Sequence, residues 1–344
     1  MKSARTPLLV AFAGVLACAA GLVVDPRSTL AAWLAAEMFW LALPLAAVAL
    51  TLIAEVTGRA WFEPFRITAA TAMTTLPAVA LGFLPVLAGI ATLYPWAAGD
   101  RAETAAFWLN VPFFVARAVF YFAIWLSLAV MALRRGPALG EAAAAGGLVL
   151  LGFTVNFAAI DWTMSLDPHF ASSVYGYTAM AGILLDGIAL LLLASSRARA
   201  APAPLAGLAL ALVIIWAYLA FMQYLIVWES DLAREIPWYL RREQGVWAAI
   251  GLAIALTHFL LPFLLLLLGG VRRGGIVLVA ACGLLVIGRL LDCWWRVYPD
   301  VAGSALSWQA PAAVVALGGL VVAAARLSRG LGPLRDRARG AARG

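Results

Sequence analysis

The chain has 344 residues, 65% of them apolar and only 12% charged, with a net charge of +7. Soluble domains run to about 45–50% apolar and about 25% charged, and the 24 Lys/Arg and 17 Asp/Glu here are too few to coat a soluble protein of this size. That excludes a soluble enzyme, a disordered scaffold and a secreted disulfide domain, and leaves a polytopic membrane protein.

A bilayer core of about 30 Å takes roughly 20 mostly apolar residues per helix. Ten segments meet that requirement in chain order: 7–24, 28–55, 67–93, 107–133, 139–162, 172–196, 203–228, 245–269, 275–294 and 305–326. Turn residues or charges separate them, among them Asp25-Pro26, Pro64 with Arg66, Asp100-Arg101, Arg134-Arg135-Gly136-Pro137, Asp167-Pro168, Arg197 to Pro204 and the Gly269–Gly274 break. No ten-residue apolar/polar alternation of a barrel strand occurs. The expected fold is therefore all-α: a ten-helix transmembrane domain over 1–326 and a basic tail over 327–344. For the first segment a cleaved signal peptide is the competing reading, with Ala17-Cys18-Ala19 as a cleavable site. An uncleaved helix keeps the loop parity consistent.

Orientation follows from Lys and Arg in short loops. One side collects Lys2, Arg5, Arg59, Arg66, Arg134, Arg135, Arg197, Arg199, Arg272 and Arg273, with Arg326, Arg329, Arg335, Arg337, Arg339 and Arg343 at the C-terminal end. The other side has Arg27, Arg101, Arg234, Arg241, Arg242 and Arg296. Sixteen against six, with Arg117 and Arg289 inside spans, predicts that both termini are cytoplasmic. The basic tail suits anionic lipid headgroups, so the charge calls for no nucleic acid.

Three scattered cysteines, Cys18, Cys282 and Cys293, are too few for an iron–sulfur cluster. The two histidines, His169 and His258, lie at different depths and cannot both ligate one haem. No metal or redox cofactor is expected in this chain.

Ionisable residues inside a membrane are expensive and mark function by default. At 1.5 Å per residue, Arg117 is expected about 15 Å below the outer surface and Asp186 and His258 about 20 Å below it. Asp186 lies in a wholly apolar stretch, so it is either protonated or paired with Arg117 or His258. Glu37, Asp161, Arg289 and Asp292 lie toward the outside, Glu55 and Glu141 toward the cytoplasm. Arg289 and Asp292, at i, i+3, form a self-contained pair in the simplest reading. A structural hydrogen bond at Asp186 and a core histidine at His258 are the alternatives to a proton path made of Asp186, His258, Arg117, Asp161, Glu37 and Glu141.

Two outer-face segments are dense in charges and aromatics. The first is Asp161-Trp162-Thr163-Met164-Ser165-Leu166-Asp167-Pro168-His169; the second runs from Gln223-Tyr224 through Trp228 to Glu235-Ile236-Pro237-Trp238-Tyr239. Together they resemble the signature of the ActF family, membrane subunits of bacterial alternative complex III, itself related to NrfD/PsrC-type membrane subunits. Phe170 and Glu229 to Arg234 depart from that pattern. The resemblance implies four-helix bundles of the NrfD type in the bacterial inner membrane. It implies a complex that oxidises quinol and passes electrons to cytochrome c or an oxidase. The implied partners are an ActC-like membrane subunit, a multihaem cytochrome c and iron–sulfur subunits that hold the haem c and clusters, with a terminal oxidase as a further candidate. Quinol is a candidate ligand, its site better attributed to the ActC-like partner. Asp161, Trp162, Asp167, His169, Trp228, Glu235 and Trp238 are then the family-motif residues. An ion-coupled secondary transporter and a purely structural scaffold subunit are the competing function classes.

Overall fold

The computed structural model describes residues 2–100, 106–135, 139–195, 203–268, 275–303 and 306–328. Among them there is no strand, and ten helical segments are long and apolar enough to cross a membrane. The chain is a multi-pass, all-α membrane protein. We label the crossings α1 (Lys2–Val24), α2 (Pro26–Thr57), α3 (Glu63–Ala88), α4 (Val111–Arg135), α5 (Glu141–Trp162), α6 (Tyr175–Ser195), α7 (Ala203–Glu229), α8 (Gly245–Leu267), α9 (Ile276–Val301) and α10 (Gln309–Ser328). Arg101, Arg197, Arg199, Arg272, Arg273 and the tail from Arg329 onward lie outside the described residues.

Helices α2–α5 pack as one four-helix group and α6–α9 as a second. They join where α2 lies against α6 and α9, and α5 against α6. α2 and α6 are accordingly the most buried crossings. α1 and α10 flank them as an antiparallel pair that closes to backbone contact. A Cβ on Gly14 would stand 2.7 Å from the Ala316 backbone, and one on Gly319 would stand 2.6 Å from that of Ala11. Small residues permit this approach, the usual device of helix pairs in lipid. The loops that carry the two aromatic, charged segments emerge on one side of the bundle, called here the motif face.

Three boundaries differ from the sequence expectation, each for a local reason. α4 starts at Val111 rather than 107, because Asn110 caps it: Oδ1 accepts the Phe113 N–H at 3.0 Å, and Pro112 occupies the first turn. Arg117 consequently lies only about 9 Å below the start of its helix, not 15 Å. α3 is a chain of short helical pieces with Pro77 and Pro85 at the starts of two of them. α9 runs on to Val301, well past 294, and takes Arg296 into the span. The charges that seemed to end that helix neutralise one another within it, as described next.

Candidate functional site

On the motif face, Asp161 at the end of α5 is saturated by donors. Arg117 of α4 gives it Nε at 2.7 Å and Nη2 at 3.0 Å, and Trp108 Nε1 and the Tyr121 hydroxyl each donate at 2.7 Å. The guanidinium is further held over the Trp108 and Phe113 rings and donates to the Trp108 carbonyl. Both charged groups are buried. Arg117 is therefore committed to Asp161, whose helix lies beside α4, and of the alternatives open for Asp186 a pairing with Arg117 does not occur. Trp162 turns the other way and packs among Phe83, Phe122 and Trp125, with its carbonyl accepting the Tyr94 hydroxyl at 2.9 Å.

The two sequence motifs meet in space. Asp167 of the α5–α6 connection pairs with Arg241, and Phe170 stacks on Trp238 of the short helix Ile236–Leu240, centroids 4.5 Å apart. Arg242 lies over the other side of Trp238 at 3.5 Å and is wholly buried. Its donors explain its place. Pro299 inside α9 has no N–H, which leaves the Trp295 carbonyl without its helical donor. Arg242 Nε supplies one at 3.0 Å, Nη2 reaches the Arg296 carbonyl at 2.9 Å and Asp300 at 2.5 Å, and Nη1 reaches the Trp238 carbonyl at 2.9 Å. Burial outweighs Asp300 and holds the Arg242 guanidinium below its usual range. For half-exposed Arg241 burial also pulls down, but Asp300 and Asp167 together more than offset it and raise it. Sequence reasoning placed these arginines only as loop charges. The sign of a buried one was Pro299, a helix-interior proline that frees a carbonyl.

Beneath this layer, α9 carries a charged ladder. Asp292 accepts Arg289 Nη1 at 2.8 Å and Arg296 Nε at 2.9 Å, so the expected i, i+3 pair is a triad with Arg296, which lies inside the helix and not in a loop. About 17 Å from the motif-face end of α6 lies Asp186, fully buried, neither oxygen hydrogen-bonded. Arg289 is close enough to act on it electrostatically and rests on Gly182, one turn earlier on the same helix face. His258 faces α9 from a π-turn in α8, Ala255–Leu260. Its Nδ1 lies 2.9 Å from the Leu285 carbonyl, an acceptor only, so Nδ1 carries the proton of the neutral ring and Nε2, unpartnered, is left as the acceptor. Gly288 makes room, since a Cβ there would stand 2.6 Å from that of His258. Asp186 and His258 thus each approach α9 rather than one another.

The remaining candidates are dispersed. Glu37 is buried between α2, Gly82 of α3 and Leu317 of α10, both oxygens unpartnered. Glu141 is exposed at the opposite end of α5. His169 is exposed on the motif face 3.3 Å from Asp100. Trp228 is 48% exposed and stacks on Tyr224, and Glu235 is half-buried at the start of the short helix. Among the described residues no three His, Cys, Asp or Glu gather as a metal site. No protein-family model matches this chain, and no curated protein matches it.

Proposed function

We propose that the chain is a membrane subunit of a quinol-oxidising respiratory complex of the alternative complex III type, seated in the bacterial inner membrane with both termini cytoplasmic. In this reading it resembles ActF, holds no redox centre of its own, and provides part of a transmembrane proton path beside an ActC-like subunit, a multihaem cytochrome c and iron–sulfur subunits. One observation carries the reading. Two groups able to take or give a proton, Asp186 about 17 Å and His258 about 20 Å below the motif face, lie near mid-membrane against the Arg289–Asp292–Arg296 charges of α9, the Asp186 oxygens and the His258 Nε2 without hydrogen-bond partners. Buried groups able to take or give a proton at that depth are what a relay needs. The Arg117–Asp161 node is saturated and serves as an anchor at the entrance, not as a carrier.

A transporter is the second reading, favoured by the broken α3 and the π-turn of α8, since discontinuous helices line ion sites. The two irregularities fall on the second helix of one bundle and the third of the other. That offers no repeat. Affinity purification from the native membrane separates the readings: a multihaem cytochrome and an iron–sulfur protein should accompany the chain, and their absence would end the complex reading. Within the complex, Asp186→Asn should lower the protons released per quinol oxidised while leaving electron transfer largely intact.

A further inference from the structure

Where the two bundles join, α2, α4, α5, α6 and α9 leave an internal cavity of about 30 Å³. Every residue around it is buried, and its walls are apolar except at the end formed by Trp162, Thr163, Arg289 and Arg296. That end holds donors without acceptors. Arg289 Nε, Arg296 Nη1 and Trp162 Nε1 are buried N–H groups with no hydrogen-bond partner, on residues that are 3%, 6% and 1% exposed. The Thr163 hydroxyl is committed to the Ala159 carbonyl at 2.8 Å. No wall residue contributes an unpartnered side-chain acceptor.

Charge points the same way. Arg289 and Arg296 share one carboxylate, Asp292. The next carboxyl, Asp186, lies within electrostatic reach of Arg289 but accepts no hydrogen bond, so it closes neither guanidinium. His258, facing the same helix, gives its Nδ1 proton to the Leu285 carbonyl and brings no negative charge. The triad therefore carries one positive charge more than it neutralises by contact, in a place where an uncompensated ion is costly.

Few occupants suit such a space. A water needs about 10–15 Å³, so the cavity takes one or two waters or a single halide-sized ion. An oxyanion such as sulfate is too bulky, and two guanidinium groups repel a cation. A water would accept these N–H groups but bring two protons of its own to an apolar wall. A halide ion only accepts. We propose that the junction of the two bundles is a binding site for one halide ion, chloride in the cell, held by the Arg289 and Arg296 guanidinium groups and the Trp162 indole N–H. The ion supplies the missing negative charge and ties α5 of the first bundle to α9 of the second. Such a site is independent of the respiratory-complex reading.

The test uses the full-length chain in dodecylmaltoside micelles, prepared with bromide in place of chloride and then desalted into sodium gluconate. A single bromide per chain should either remain, counted by elemental mass spectrometry, or return on titration with a saturable rise in the thermal unfolding midpoint. Chloride should compete, whereas sulfate at equal ionic strength should not. Trp162→Phe, which keeps a ring but loses the N–H, should weaken halide binding about tenfold. Ala159→Val, which fills the cavity without changing charge, should abolish binding, and a cooperative unfolding transition in gluconate shows that both variants fold. Absence of both retained bromide and a saturable halide response, the outcome if water alone fills the cavity, would overturn the proposal. So would an equal response to sulfate, or binding undiminished in both variants.

Discussion

Replacing Arg242 by Leu should be among the most damaging single changes outside the apolar core. The side chain is 0% exposed and its partner Asp300 only 2%. It satisfies three main-chain carbonyls as well as the carboxylate, including the Trp295 oxygen that Pro299 cannot serve. Breaking a buried pair by removing one member costs about 3–5 kcal/mol, and an orphaned buried carbonyl adds about 1–3 kcal/mol. These overlap, so a loss of about 4–6 kcal/mol is expected. Arg241→Leu next door removes a side chain that is 40% exposed and should cost about 0–1 kcal/mol. Unfolding by SDS in mixed micelles, followed by tryptophan fluorescence, compares the two. The double variant Arg242→Leu/Asp300→Leu should be no more stable than Arg242→Leu alone, because Asp300 keeps Arg241 as a partner once Arg242 is gone and the stranded carbonyls remain in both. Equal stability of the two single variants, or a double variant restored to the stability of the unaltered protein, would refute the account of this site.

Other outcomes follow from the same geometry. Asp161→Asn leaves the Arg117 charge buried and points amide N–H groups at existing donors, so it should cost about 3–5 kcal/mol in the same assay; a change below 1 kcal/mol would mean that water enters the node. Gly187→Ala should sharply reduce monodisperse yield, because its Cβ would stand 1.9 Å from that of Ala46 where α6 meets α2. Gly207→Ala on α7, with nothing within 4 Å, should be neutral or stabilising. Asp25 accepts the Ser28 N–H at the start of α2, and hydrogen bonding to the Ser28 side chain, then to its N–H, holds the carboxyl below the usual range. A depressed pKa gives stability that is present above the unfolded value, about 4, and lost as pH falls through the folded one. The stability advantage over Asp25→Ser should therefore fade only below about pH 4; a difference independent of pH would count against the cap.

Hydropathy made the ten crossings legible because each apolar stretch must cover the same thickness of hydrocarbon. Asn110 and Pro112 were readable as a helix start too, had local capping been weighed against the apolar run that begins at 107. Partner choice was not legible. Asp161 and Arg117 are 44 positions apart on neighbouring helices, and nothing in either stretch says that they pair rather than Arg117 and Asp186. The end of α9 misled for the opposite reason. Arg296 looks like a loop residue when counted as a charge, yet at i, i+4 from Asp292 it is neutralised inside a helix. The cavity between the bundles was invisible, since it depends on how five helices meet.

The proline in α9 also bears on how the protein is made. A ninth helix entering the bilayer alone would carry the Trp295 carbonyl with no donor, a defect that hydrocarbon does not forgive. Its remedy, Arg242, belongs to a segment synthesised earlier and waiting on the motif face when Pro299 arrives. Completion of the second bundle thereby tests itself. A chain in which the preceding loop is misplaced keeps an unsealed helix end, and it offers membrane quality control a handle that the finished protein does not.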